Sequence, residues 1–187
     1  MDQYLELTLL PDPDFPQAML MSALLAKLHR ALHQLQRSDI GISFPEHRSK
    51  PQTLGTRLRV HGCNAALEQL QALNWLTGMR DHTQASGPEP VPADARHRCV
   101  ARAQVDSNPE RLRRRLVKRH GISEEEALQR IPDSKRKLSD LPFAQLRSHT
   151  TGQLFKLFVR HGPIVDEPQR GSFGSYGLSS NATVPWF

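Results

Sequence analysis

Residues 4–36, YLELTLLPDPDFPQAMLMSALLAKLHRALHQLQ, decide how the N-terminal half of the chain folds. In residues 4–10 apolar and polar side chains alternate, which predicts a β-strand with one buried face. The prolines that follow end the strand, and Pro16 suits the first turn of a helix. Leucines then recur at helical spacing at positions 20, 24, 28, 32 and 35. This pattern predicts a helix of roughly 20 residues, about 30 Å long.

The residues after this helix predict the other elements of a first domain. Two short strands, 40–44 and 57–60, are followed by an amphipathic helix over 65–73 and a weaker strand over 80–84. The order strand, helix, strand, strand, helix, strand is the split βαβ pattern of a ferredoxin-like domain. We therefore predict an α+β fold, with a ferredoxin-like domain over residues 1–85 and a proline- and alanine-rich linker at 86–96.

The C-terminal region, residues 97–187, follows a different pattern. Small or apolar side chains alternate with polar ones in residues 98–105, which predicts a strand. Asn108 and Pro109 favour a helix start and Gly121 favours its end, so a helix is predicted at 108–120. SEEE at 123–126 is a capping box that opens another helix. The rest is predicted as strands at 143–148 and 154–159 and a glycine-spaced loop or hairpin at 171–178.

Composition excludes several classes of protein. With 37% hydrophobic and 24% charged residues, the chain is typical of a soluble globular protein, and no stretch is apolar enough to cross a bilayer. No signal-peptide pattern follows Met1, so we expect a cytoplasmic protein without membrane partners. Cys63 and Cys99 have no metal-ligand spacing, and His29 and His33 lack the glutamate of an H-E-x-x-H site. We expect reduced thiols, no metal and no cofactor.

The positive charge is concentrated in one segment. The formal net charge is +6 and the pI about 9.8, and six of the nine residues from 111 to 119 are basic. On a helix, Arg111, Arg114, Arg115 and Lys118 fall within an arc of roughly 100°. The alternative is a solvated helix face, but Glu110 is the only acid interleaved with these cations. The segment therefore predicts nucleic-acid binding.

The choice between RNA and DNA depends on weaker signals. No helix-turn-helix, zinc finger or leucine zipper is evident. Arg102 and Gln104 share one face of a predicted strand, and arginine suits the O6 and N7 atoms of guanine whereas glutamine suits N6 and N7 of adenine. A plain exposed strand face is the alternative interpretation. Side chains usually cannot read the deep, narrow major groove of A-form RNA, but a thin arginine-bearing helix can enter it near a loop.

Taken together, the motifs resemble the CRISPR repeat-processing endoribonuclease of the type I-F system. The opening residues Met1, Asp2, Tyr4 and Leu5 and the segment KLH at 27–29 agree with that family, and the similarity covers essentially the whole chain. The longer matching segments are SNPERLRRRLVKRH (107–120), SEEEA (123–127), RIPD (130–133), LRS (146–148), TGQ (151–153), RHGP (160–163), YGLS (176–179) and VPWF (184–187).

The resemblance implies a substrate and partners. The substrate is expected to be the hairpin that each repeat forms in a CRISPR precursor transcript, cut at the 3′ base of its stem. The protein is then expected to retain the mature guide RNA and to join the other subunits of the type I-F interference complex. The family's ferredoxin-like N-terminal domain agrees with the element order above.

The resemblance also implies roles for single residues. His29 is expected to be the catalytic histidine, Ser148 to constrain the nucleotide at the cut and Tyr176 to order the site. Arg102 and Gln104 are expected to read base pairs at the bottom of the stem. The remaining RNA-binding residues are expected to be Phe155, stacked on the terminal base pair, and Arg115, Lys118 and Arg119 in the major groove, beside Arg111 and Arg114 of the basic arc.

Three positions depart from the family pattern. Lys118 stands where an arginine is usual, which replaces a bidentate fork by a point charge. His149 and Thr150 stand where a glutamine and a serine are expected. Thr150 keeps a hydroxyl, whereas His149 adds a titratable group to which no role is assigned.

The chemistry that these residues suit is metal-independent RNA cleavage. A deprotonated 2′-hydroxyl held in line with the leaving 5′-oxygen yields a 2′,3′-cyclic phosphate and a 5′-hydroxyl. A histidine can act as base or acid near neutrality, and placement of the 2′-oxygen by Ser148 would act through orientation. Without the resemblance, His29 alone indicates a partly exposed helix residue, Ser148 a strand hydroxyl, and Tyr176 and Phe155 core or hairpin aromatics.

Two other functions fit the basic helix without this chemistry. A non-catalytic RNA-hairpin-binding subunit of a ribonucleoprotein complex would bind the hairpin tightly and form no products. A DNA-binding regulator would prefer duplex DNA. Binding in all these cases weakens steeply with salt, so salt dependence does not discriminate among them.

Overall fold

The computed structural model describes residues 1–104, 109–132, 140–148 and 151–187, and within these the side chains of Pro109 and Arg111 are not described. The chain forms two compact units, one of residues 1–103 with 141–187 and the other of residues 104–140. In the part of the chain that the structure describes, no helix is both long and apolar enough to cross a membrane.

The N-terminal part of the larger unit contains the first sheet and two helices. These are β1 (Gln3–Leu9), α1 (Gln17–Leu35), β2 (Gly41–Ser43), β3 (Arg57–Gly62), α2 (Asn64–Ala72), a 3₁₀ turn (Arg80–His82), β4 (Thr83–Ala85) and β5 (Glu89–Pro90). The sheet is antiparallel in the order β2-β3-β1-β4, and β5 pairs with β1. Leu5, Leu7 and Leu9 of β1 alternate inward, as the period-two pattern predicts.

The boundaries differ from the sequence expectation at several points. The strand predicted at 80–84 is a 3₁₀ turn followed by β4, because the His82 amide donates to Met79 O before the chain extends. The predicted linker contains β5, whose residues pair with Gln3 and Tyr4. The compact units also divide the chain differently from the predicted domains 1–85 and 97–187, which stay a prediction about functional regions.

The second sheet of the larger unit is also antiparallel. It contains β6 (Arg96–Ala103), β7 (Phe143–Arg147), β8 (Leu154–Val165) and β9 (Thr183–Trp186) in the order β7-β8-β6-β9. β8 runs six residues beyond its predicted end at Val159, because pairing with β6 continues to Val165. β9 was not predicted as a strand, and its Pro185 is accommodated because β9 lies at the sheet edge.

Both sheets bury their apolar side chains in one core. The core residues include Leu24 and Leu28 of α1, Val60 of β3, and Val159 and Val184 of the second sheet, all at most 1% exposed. Backbone hydrogen bonds also join the two halves of this unit. Phe173 donates to Ser38 O at 2.8 Å, and Ile42 donates to Gly177 O at 2.9 Å.

The smaller unit contains two helices. α3 (Pro109–His120) ends at Gly121, which has φ +63° and donates to Val117 O at 2.8 Å. α4 (Glu124–Arg130) begins at Ser123, whose Oγ accepts from the Glu126 amide at 3.1 Å, as the capping sequence predicts. The predicted first residue of α3, Asn108, lies outside the described residues.

Two histidines of the larger unit have strongly lowered pKa values because they are buried. His61 is fully buried with Nε2 2.8 Å from Ser43 Oγ, and burial lowers its pKa to about 3. His161 stacks on His47 with ring centroids 3.5 Å apart, and burial, followed by the charge of a protonated His47, lowers its pKa to about 3. Both rings are therefore neutral in the folded protein at neutral pH.

We expect the protein to lose stability as the pH falls below about 6.5, the ordinary pKa of an unfolded histidine. The folded pKa values lie lower, so the unfolded chain binds more protons and stability decreases toward pH 3. Urea unfolding between pH 7 and pH 5 should show a decrease of up to about 1.4 kcal/mol per pH unit for each histidine. His161→Phe keeps a ring beside His47 but cannot titrate, so its slope should be shallower. An unchanged slope in this variant would contradict the assignment.

Candidate functional site

His29 lies near the C-terminal end of α1 and is partly buried. Its Nδ1 atom is 2.9 Å from the backbone oxygen of Ser175. A carbonyl oxygen can only accept a hydrogen bond, so Nδ1 must carry a proton to make this contact. In the neutral ring Nε2 is then left unprotonated and able to accept a proton. The contact thus selects one of the two tautomers of His29.

Tyr176 covers one face of the same imidazole. The two ring centroids are 3.8 Å apart and the rings are almost parallel, with an interplanar angle of 7°. Burial raises the pKa of the Tyr176 phenol, and the positive charge of Arg102 opposes that rise. The phenol is therefore neutral at neutral pH. Two consecutive residues thus contact the His29 ring: Ser175 O at Nδ1 and the Tyr176 ring on one face.

Arg102 and Phe155 lie in the same unit as this histidine. Arg102 is on β6, exposed, with its guanidinium carbon 5.8 Å from the centroid of the Phe155 ring on β8. This distance is within the range of a cation–π interaction. The structure thus pairs Arg102 with Phe155 and His29 with Tyr176, and the charge of Arg102 favours the ionised form of the Tyr176 phenol.

Ser148 follows the last residue of β7 in a short turn. Its amide donates to Gln153 O and its carbonyl accepts from the Gly152 amide, both at 2.8 Å. Its Oγ accepts from the Thr151 amide at 3.2 Å, so the hydroxyl oxygen is held by the backbone of its own turn. Within the described ranges no hydrogen bond joins Ser148 to His29. The neighbouring His149 and Thr150 lie outside the described residues.

The predicted basic helix is α3 of the smaller unit. Arg114, Arg115, Lys118 and Arg119 are all exposed on it, whereas Leu116 is partly buried. Leu112, one turn before Leu116, is 36% exposed. Arg113 differs from the other arginines because its Nη1 donates to Ile131 O at 3.3 Å.

Gln104 and Arg111 are the remaining RNA-binding candidates in the smaller unit. Gln104 follows the last residue of β6 and is exposed, and it belongs to the smaller unit rather than to the sheet. The side chain of Arg111 lies outside the described part of the chain, so its predicted place in the basic arc stays a prediction.

Ser175 is the participant that the sequence did not indicate. It acts through its backbone oxygen, which every residue has, so no side-chain pattern could have revealed it. His33, one turn along α1, lies with its ring centroid 6.3 Å from that of His29. Among the residues with described positions, no three His, Cys, Asp or Glu side chains are grouped so that they could hold a metal ion.

Comparison with known proteins identifies the family. A family model described as CRISPR-associated protein (Cas_Csy4) matches residues 4–187. The CRISPR-associated endonuclease Cas6/Csy4 of Pseudomonas aeruginosa (strain UCBPP-PA14) is 51% identical over 187 residues, 100% of both chains. The protein of the same name from Escherichia coli (strain UTI89 / UPEC) is 49% identical over the same full lengths. The resemblance carried by the sequence motifs is thereby confirmed: the chain belongs to the Cas_Csy4 family of CRISPR-associated proteins.

Proposed function

We propose that this protein is a CRISPR repeat RNA endonuclease that binds the repeat hairpin and cuts at the 3′ base of its stem. The observation that carries the proposal is the tautomer of His29, whose Nδ1 is engaged by Ser175 O while Tyr176 covers its face. This arrangement leaves Nε2 to exchange a proton with substrate. The relatives of about half identical sequence are named endonucleases, which supports the same class of activity here.

The proposed reaction uses the nucleophile that RNA itself carries. Nε2 of His29 takes the proton of the 2′-hydroxyl, and the 2′-oxygen attacks the adjacent phosphorus as the bond to the 5′-oxygen breaks. A proton delivered to that oxygen, by a protonated imidazole or by water, gives a 5′-hydroxyl and a 2′,3′-cyclic phosphate. Because the nucleophile is internal, the reaction needs no metal ion. Histidine suits both transfers because its ordinary pKa is near neutrality.

Ser148 and Tyr176 are proposed to act by orientation. Ser148 Oγ is tied to the Thr151 amide, and we propose that this hydroxyl constrains the ribose at the cut. Tyr176 restricts the tilt of the imidazole, which keeps Nε2 directed at the 2′-oxygen. Correct placement of reacting groups can account for several orders of magnitude in rate.

The proposed RNA-binding residues fall in both compact units, with Arg102 and Phe155 in the larger and Gln104 and the cations of α3 in the smaller. Phe155 would stack on the terminal base pair of the stem, where the guanidinium of Arg102 beside it could read a guanine edge, with Gln104 reading a neighbouring pair. The exposed cations of α3, together with Arg111, would enter the major groove near the loop of the hairpin. We propose that these contacts also retain the product as guide RNA for the other subunits of the type I-F interference complex.

The N-terminal region is proposed to be a ferredoxin-like domain. The element order β1-α1-β2-β3-α2-β4 and the antiparallel strand order β2-β3-β1-β4 support this assignment. In that framework α1 packs on one face of the sheet and presents His29 near its C-terminal end. The predicted region 1–85 would then carry the catalytic His29, and the region 97–187, joined to it at 86–96, would bind the hairpin and supply Ser148 and Tyr176.

A repeat hairpin with one 2′-deoxy nucleotide at the cut should test the reaction. It should bind as tightly as the all-RNA hairpin and remain whole, because the nucleophile is missing. Cleavage of the all-RNA hairpin should survive EDTA, and His29→Ala should bind it normally without forming products. Gel separation of products, with a fluorescence titration for affinity, measures each outcome. Cutting of the deoxy hairpin or loss of activity in EDTA would overturn the mechanism, and binding without products at any pH would favour a non-catalytic subunit.

Alanine variants of two arginines on α3 should distinguish a residue that contacts RNA from one that stabilises the helix pair. Arg115→Ala removes an exposed cation, so hairpin affinity should fall by about 1–3 kcal/mol and the log–log salt slope by about 1. Arg113→Ala removes the hydrogen bond to Ile131 O, so it should weaken protection of α3 and α4 from hydrogen exchange. Its salt slope should match the wild type. Equal changes of slope in both variants would contradict the assigned roles.

A further inference from the structure

The segment 175–177, which we call the histidine support, is attached to the first sheet by its last residue. Gly177 O accepts from the Ile42 amide of β2 at 2.9 Å. Two further backbone bonds close the turn around the support: Gly177 donates to Gly174 O at 2.8 Å, and Gly174 donates to Leu178 O at 2.9 Å. The histidine support is therefore held at Gly177, by β2 and by the bonds of its own turn.

Gly177 occupies a place that no side chain can take. Its φ is +67°, in the left-handed region that residues with a Cβ atom rarely adopt. A Cβ atom here would lie 2.8 Å from Ile42 Cγ2, and Ile42 is 1% exposed in the shared core. An added methyl group would therefore push the support away from β2, since neither the backbone nor the buried isoleucine can yield cheaply.

The other two residues of the histidine support are the ones that hold His29. Ser175 O engages Nδ1, and the Tyr176 ring lies on the imidazole face. A displacement of Gly177 is transmitted to both contacts because all three residues are consecutive. The contact that sets the tautomer thus depends on how closely Gly177 approaches Ile42.

We propose that Gly177 is a positioning residue for His29: its close approach to Ile42 sets where Ser175 O and Tyr176 stand, and so keeps the proton on Nδ1 and leaves Nε2 for the substrate. The proposal deepens the proposed function, because it rests on His29 being the catalytic histidine. It assigns the selection of the tautomer to a backbone oxygen and the placement of that oxygen to a glycine.

The first measurement is made on the wild-type protein without RNA. Nitrogen-15 NMR of the histidine side chains distinguishes the two neutral tautomers, and His29→Gln identifies the signal of His29. The signal should be that of the Nδ1–H form. A predominant Nε2–H form would overturn the proposal, whether or not His29 proves to be needed for cleavage.

The second measurement compares Gly177→Ala with Gly174→Ala. Gly174 has no positive φ, and a Cβ atom there meets only Leu178 O at 3.7 Å, so this matched alanine fits. Gly177→Ala should lose part of the Nδ1–H signal and cleave saturating hairpin roughly 10- to 100-fold more slowly, with unchanged hairpin affinity. Gly174→Ala should match the wild type in its Nδ1–H signal, its cleavage rate and its hairpin affinity.

The outcomes separate the two proposals. A Gly177→Ala protein with the wild-type tautomer and cleavage rate would overturn the positioning role, while loss of cleavage in His29→Ala would still support the proposed function. Full cleavage by His29→Ala would overturn the proposed function, while the tautomer measurement would still stand. If Gly177→Ala does not fold, Ile42→Ala relaxes the same contact from the β2 side, and a wild-type tautomer and cleavage rate in that variant would overturn the positioning role.

Discussion

The burial of two antiparallel sheets in one hydrophobic core is the constraint on which the candidate site depends. The core contains leucines of α1 and β1 together with Leu157, Val159 and Val184 of the second sheet. Because these side chains exclude water only when both sheets pack together, the two ends of the chain must meet. This packing places Ser175 beside His29, which lies 146 residues earlier in the sequence. The site is therefore a consequence of the core rather than of any local motif.

The histidines illustrate how the same residue type serves different ends. His61 and the stacked pair of His47 and His161 lie where burial lowers their pKa, so they act as neutral packing groups. His29 is only partly buried, and its contacts engage one nitrogen and one face. A general acid–base group needs such access, because the proton must pass between the ring and substrate. His47 is also partly buried, with Nδ1 2.9 Å from Phe44 O, so what distinguishes His29 is that its ring stacks on Tyr176 rather than on a second histidine.

The arginines divide in a similar way between the interior and the surface. Arg59 is 8% exposed, with Nε 2.7 Å from a carboxylate oxygen of Glu6, and Arg98 lies over the Trp186 ring and donates to Gly162 O. These buried and partly buried cations have partners because removing a charge from water is costly. On α3 the exposed cations outnumber the single acid, Glu110. That excess is tolerated because water solvates it, and it leaves charge available for a polyanion.

The sequence by itself determined most elements, the basic helix and, through its motifs, the family. Period-two and helical patterns predicted β1 and α1 because each has one buried face, and the glycine and the capping serine marked the end of α3 and the start of α4. Patterns failed for β9, where Pro185 and a short span hid a strand that only an edge of a sheet can hold. Only the tertiary structure decided that Ser175 O selects the tautomer of His29 and that Gly177 contacts Ile42. Every residue has the same backbone oxygen, so a long-range contact made by that atom cannot be predicted from the type of residue.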